Sequence, residues 1–225
     1  MANTPVKIAD RKEAKPEKSI YLALTLVIGP WKKLFPPKEF QLIIAEALNY
    51  RNPVRKHRGK RKEPPYKYDP CIDEKSYYHV NNELTISGYL ITQRRVCLIL
   101  KAKPSDFDRL YGIFNCHVKQ EIKRRIDDRH FNKGLLSEGL DFLLDDLFTK
   151  APLINPQLIQ FLIGKEYYQL YNVSSLQRMK ASLWKYSYCS VIDYSGALGP
   201  VFVEKLKERQ NPIIHPYGVI DYHEH

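Results

Sequence analysis

Apolar and polar positions alternate in distinct rhythms along the chain, and each rhythm predicts a different element. Ile20 to Ile28 is a near-continuous run of Leu, Val, Ile, Tyr and Thr, as expected of a strand central in a sheet. Gly29-Pro30 closes it. Phe40, Ile43, Ile44, Ala47 and Leu48 then recur at helical spacing, and Pro37 suits a first turn, which predicts a helix over 36–50. Residues 76–90 read as strand, with a turn signal at Asn81-Asn82, and residues 95–101 as its partner across a polar turn at Thr92 to Arg94. A helix over 105–127 follows, with Ser105 as N-cap and acids Asp106 and Asp108 in the first turn. Its stripe is Phe107, Leu110, Ile113, Phe114, Val118, Ile122 and Ile126.

Beyond residue 130 the rhythm is helical. Helices are predicted over Leu135 to Phe148, over Pro152 to Leu170 from a start at Asn155-Pro156, over Ser174 to Trp184, and over Val201 to Arg209. The order strand, helix, strand, strand, helix predicts an α+β fold: an antiparallel sheet with helices on one face, plus helical C-terminal additions. The predicted organisation is a flexible tail over 1–18, a core over 19–130 carrying a basic insertion at 51–75, and a helical extension over 131–225. There are no internal repeats.

Charge changes the picture more than composition does. The chain of 225 residues carries a net charge of +11, which favours a polyanionic partner over a neutral one. The cations are densest at Arg51, Arg55, Lys56, His57, Arg58, Lys60, Arg61 and Lys62, broken by Pro53, Gly59, Pro64 and Pro65, so this stretch is expected to be an exposed loop. Tyr66 and Tyr68 lie beside it and have rings suited to base stacking. Lys119, Lys123, Arg124 and Arg125 give the long helix a second basic region. The bland alternative is a solubilising insertion on a protein that happens to be basic. The four cysteines, at 71, 97, 116 and 189, have no Cys-x-x-Cys spacing, so neither a zinc ribbon nor a disulfide framework is suggested and reduced thiols are expected. The N-terminal residues lack a signal-peptide apolar region and no stretch is long enough to span a bilayer, so a cytoplasmic location and no membrane partner are expected.

The hairpin carries a resemblance. Tyr89-Leu90-Ile91, Thr92-Gln93-Arg94, Arg95-Val96-Cys97 and Leu98-Ile99-Leu100 fill a frame that resembles the central strand of the single-tyrosine HUH transposases, including their REP-associated branch. The following helix, with Phe107-Asp108-Arg109-Leu110, Phe114-Asn115-Cys116-His117-Val118 and Ile122-Lys123-Arg124-Arg125, resembles the helix that bears the nucleophile in that family. The likeness spans about residues 18–130. It implies a ferredoxin-like core, with the two metal-binding histidines falling on Arg95 and Cys97 and the tyrosine nucleophile on His117.

Those three residues do not suit the family's chemistry. Arg95 has no lone pair to give a metal, though its guanidinium can pair with phosphate directly. A lone thiol at Cys97 suits Mg²⁺ or Mn²⁺ poorly, and His117 fits a structural or phosphate-contacting role better than a nucleophilic one. Tyr111 lies at the wrong angle around the helix to replace it. Neither a metal nor a cofactor is expected. The reading is a nucleic-acid-binding protein derived from a transposase, holding single-stranded or hairpin DNA without catalysis. RNA is an alternative ligand, and a protein partner or a homodimer an alternative association. An active transposase using non-standard residues, or a scaffold component of a larger complex, are the competing functions.

Overall fold

The computed structural model of the chain describes residues 18–50, 85–128, 143–165, 178, 186, 188–207 and 212–218. The tail before Lys18, the basic segment from Arg51 to Lys67, the part before residue 85 of the strand region expected over 76–90, and nearly all of the helix expected over 174–184 lie outside these residues.

Strand β1 (Ile20–Ile28) leads through a 3-10 turn (Pro30–Leu34) into helix α1 (Pro37–Asn49). Strands β2 (Thr85–Ile91) and β3 (Arg95–Ala102) form the hairpin, followed by helix α2 (Pro104–Asp128). Then come β4 (Phe148–Pro152), α3 (Pro156–Leu162), a single turn α4 (Val191–Tyr194) and β5 (Ile214–Pro216). Five strands make one mixed sheet in the order β2-β3-β1-β4, with β5 also paired to β1. β1 is antiparallel to β3, β2 antiparallel to β3, and β4 antiparallel to the second half of β1. β5 runs parallel to the first half of β1, Tyr21 opposite Ile214. The fold is therefore α+β, and no helix among the described residues is long and apolar enough to cross a membrane.

Strand alternation divides the core in two. Leu22, Leu24 and Leu26 of β1 and Val96, Leu98 and Leu100 of β3 pack with Phe40, Ile43, Ile44 and Leu48 of α1 and Phe107, Phe114, Val118 and Ile122 of α2. Helices α1 and α2 thus share one face of the sheet, as the sequence pattern predicts. Ala23, Cys97 and Ile99 belong to the other face, covered by Leu158, Ile159, Phe161 and Leu162 of α3. Each fully buried Leu or Ile contributes about 1.5–3 kcal/mol. Close packing of α3 needs Gly88, since a Cβ there would lie 2.7 Å from the backbone oxygen of Leu162.

The C-terminal half departs from its predicted helices. Phe148 to Pro152 is a strand because β1 presents a free edge to it, with Thr25 opposite Ala151. Residues 201–207 are not helical: Val201 and Val203 are buried while Phe202 between them is not, and Glu204 N donates to Ile86 O at 2.9 Å. The sheet thus draws strands from both sides of residue 130. Helix α2 begins at Pro104, one residue ahead of the Ser105 cap, because proline suits the first helical position. Asn155 does cap α3, accepting from Leu158 N at 3.0 Å. Cys116 is disulfide-bonded, whereas Cys97 and Cys189 are free and buried. The expectation of reduced thiols fails at Cys116, because a disulfide depends on separation in space, to which sequence spacing is blind.

The outer edge of β2 is sealed by residues from the C-terminal half. Ile91 N donates to Tyr188 O and Ser190 N to Tyr89 O, both at 2.9 Å. Tyr89 N donates to Ser190 Oγ at 3.0 Å, and that hydroxyl reaches Leu162 O at 2.6 Å. Tyr194 donates its hydroxyl to Ser87 O, and Tyr89 donates its own to Asp193 Oδ2 at 3.2 Å. An edge strand with its polar groups satisfied in this way offers no template for a further strand.

Candidate nucleic-acid interface

Arg95 opens β3, is exposed, and sits opposite Val27 of β1. Cys97, two residues on and on the same sheet face, is fully buried opposite Thr25. Burial pushes the Cys97 thiol up, against the opposing pull of the Arg95 charge and a hydrogen bond with Thr25. The result is a protonated core thiol at neutral pH.

His117 lies elsewhere. It is buried on the sheet-facing side of α2, its ring centroid 3.4 Å from that of Tyr50 at a 38° tilt. With Leu24, Leu26, Leu98 and Leu100 it lines a cavity of about 40 Å³ between α1, α2 and the sheet. These leucines belong to the face opposite Cys97. The sheet therefore stands between Cys97 and His117, and the three positions that the resemblance assigned to one site do not converge.

The basic end of α2 is largely neutralised. Arg124 pairs with Glu121 and, at 2.8 Å, with Asp128. Arg125 reaches Glu121 at 2.8 Å, Glu46 at 2.9 Å and Glu39 at 3.7 Å, which ties α2 to α1. Burial alone would raise the Glu121 carboxyl, but hydrogen bonds from Arg124 and Arg125 outweigh it and hold it below the usual range. Lys119 faces Asp145 at 3.8 Å, and Lys123 also has a partner. The Glu121–Arg124 and Glu121–Arg125 spacings, three and four residues, carried this signal in the sequence. Arg51, Arg55, Lys56, Arg58, Lys60, Arg61, Lys62, Tyr66 and Tyr68 lie outside the described residues.

A different group of cations does come together, at the end of the sheet where β1 finishes and the hairpin turns. Ile28 N donates to Arg94 O at 2.9 Å, which sets Arg94 beside the end of β1. Lys32 Nζ donates to Ile28 O at 3.4 Å, and Lys33 follows it, exposed. Both basic loops are rigidly built. The Thr92 hydroxyl accepts from Arg94 N at 3.3 Å and Arg95 N at 3.1 Å, fixing the turn. Trp31, fully buried, donates its indole N–H to Leu147 O at 2.9 Å and meets Phe35, Phe40 and Phe148 edge-on. That anchor turns Lys32 and Lys33 outward. Gly29 lets the backbone of Asp146 approach, since a Cβ there would lie 2.2 Å from its carbonyl oxygen, so one exposed carboxylate, that of Asp146, borders the cluster. Among the described residues, Lys33, Arg94 and Arg95 have no carboxylate partner. Only Arg95 of the four was foreseen, because the cluster exists through strand register and not through sequence proximity.

No known protein family, no curated protein and no solved structure matches this chain. What the surface can do follows from its groups: two guanidinium forks with ammonium groups beside them can pair with phosphate oxygens.

Proposed function

We propose that this protein binds nucleic acid, as single-stranded or hairpin DNA, through phosphate contacts and without catalysis. The observation that carries the reading is the contrast between saturated and unsaturated cations: Arg124 and Arg125 are held by carboxylates, while among the described residues Lys33, Arg94 and Arg95 are not. With a net charge of +11 over the chain, phosphates are the complementary ligand. We further propose descent from the single-tyrosine HUH transposases on a ferredoxin-like core. In its favour are the strand order β4-β1-β3-β2, with these neighbours all antiparallel, and the two helices on one face. Absence of catalysis is supported by a guanidinium, a buried thiol and a buried imidazole at the three former positions, split between two sheet faces.

Two measurements test this. Binding to single-stranded, hairpin and duplex DNA and to RNA is followed across a salt series; the expected result is affinity that falls steeply with salt. Salt-independent binding, or none below millimolar protein, would refute the reading and leave the scaffold function standing. Incubation with labelled hairpin DNA and Mg²⁺ or Mn²⁺, then denaturing electrophoresis, is expected to give no covalent adduct. An adduct lost on mutating one tyrosine would restore the active transposase.

A further inference from the structure

We infer that the end of the sheet formed by Lys32, Lys33, Arg94 and Arg95 is the anchoring phosphodiester site, taking three to four phosphates regardless of base sequence. The inference rests on the nucleic-acid reading above and says where on the described surface the ligand sits. Four cations belong to two short loops joined by hydrogen bonds to one residue, Ile28. Three of them lack a carboxylate partner among the described residues, so phosphate binding breaks no ion pair there. By contrast, exchange at Arg125 would leave three carboxylates behind, and at Lys150 would leave Asp108 and three aromatic rings.

The surface around the cations also suits a flexible chain. Val27, 46% exposed, stands between Arg95 and Thr149 across three strands, giving a patch with an apolar centre and a hydroxyl at its border. The turn backbone is fixed by Thr92, so the guanidinium groups are displayed from a scaffold that needs no ordering on binding. Arginine forks in that setting contact phosphates bidentately, which is a positioning role and not a base-reading one.

The test compares two variants of equal charge on the full chain. In the first, Lys33→Gln, Arg94→Gln and Arg95→Gln are combined. In the second, Lys18→Gln, Lys101→Gln and Lys103→Gln remove the same charge from the opposite end of the sheet. Affinity for a single strand of ~20 nucleotides and for its duplex is measured from 50 to 200 mM salt. At about 0.7–0.9 of a counterion per phosphate contact, losing three contacts shrinks the affinity change over that range by roughly 20- to 40-fold. The first variant is expected to show this reduction on whichever form binds, and the second is not. Equal reductions in both would mean a delocalised charge effect and would overturn the site while leaving nucleic-acid binding intact. No binding by the unaltered protein would overturn the nucleic-acid reading itself. Unchanged thermal melting of both variants excludes misfolding as a cause, because all six side chains lie outside the core.

Discussion

Ser190→Ala removes one oxygen from a fully buried position and should be among the most damaging small changes in the chain. The hydroxyl accepts from Tyr89 N at 3.0 Å and lies 2.6 Å from Leu162 O, one of the unpaired carbonyls at the end of α3. Alanine cannot replace either contact. Tyr89 O keeps its bond from Ser190 N at 2.9 Å, so two buried backbone groups are orphaned, not three. At about 1–3 kcal/mol for each, the expected loss is about 2–6 kcal/mol. With a urea slope of about 2 kcal/mol per molar, the midpoint should fall by about 1–3 M at unchanged slope. Ser195→Ala, at an exposed site in the same region, is the control and should stay within about 0.5 kcal/mol. Hydrogen exchange at Tyr89 should accelerate in Ser190→Ala. A loss under ~0.5 kcal/mol would refute the idea that this hydroxyl holds β2, α3 and residues 188–190 together.

Gly88→Ala should cost about 1–3 kcal/mol by forcing α3 off the sheet, read as a lowered melting temperature; an unchanged melt would mean the Leu162 carbonyl moves aside freely. Lys150→Met keeps the stem but removes an ammonium 4.8 Å from the Tyr111 ring and 5.1 Å from that of Tyr217, at an expected cost of about 0.5–2 kcal/mol. Faster exchange at Tyr217 N, which donates to Ala23 O, is its signature, and unaltered exchange there would count against the contact. Stability should also fall in alkali. Burial pushes the Cys189 thiol up from 9.0 to about 11 and the Tyr194 phenol up from 10.0 to about 12. In that window the unfolded chain releases protons that the folded chain retains, so stability is full below pH 9 and declines as pH rises from there towards 12. Melts in a pH series check this, and Cys189→Ala should make the decline between pH 9 and 11 shallower.

The parts of this fold legible in the sequence are those whose pattern is set by local chemistry. The run from Ile20 to Ile28 gave its strand both ends, because Gly29-Pro30 stops it and all but Val27 along its middle is buried. The helices at Pro37–Asn49 and Pro104–Asp128 were visible as stripes. Phe148 to Pro152 was not visible as strand, since its short Phe-Thr-Lys-Ala-Pro pattern becomes one only against β1. Residues 201–207 likewise are not the predicted helix, and Glu204 N instead satisfies the Ile86 carbonyl of β2. At the candidate interface, alternation correctly put Arg95 and Cys97 on one sheet face. It could not reveal that His117 approaches the other face, or that Arg94 comes to rest against Ile28.

The central place of β1 has a consequence for how the chain is made. It is synthesised before each of its partners, which are Arg95 to Ala102, then Phe148 to Pro152, then Ile214 to Pro216. A nascent chain must therefore carry a nine-residue, leucine-rich strand with part of one edge unpaired until residues 214–216 have emerged. Pairings of such sequence separation slow folding and leave the strand open to intermolecular pairing meanwhile. Truncation near residue 205 would leave Tyr21 to Ala23 with one bare edge in every copy, so β5 guards β1 against aggregation as well as completing the sheet.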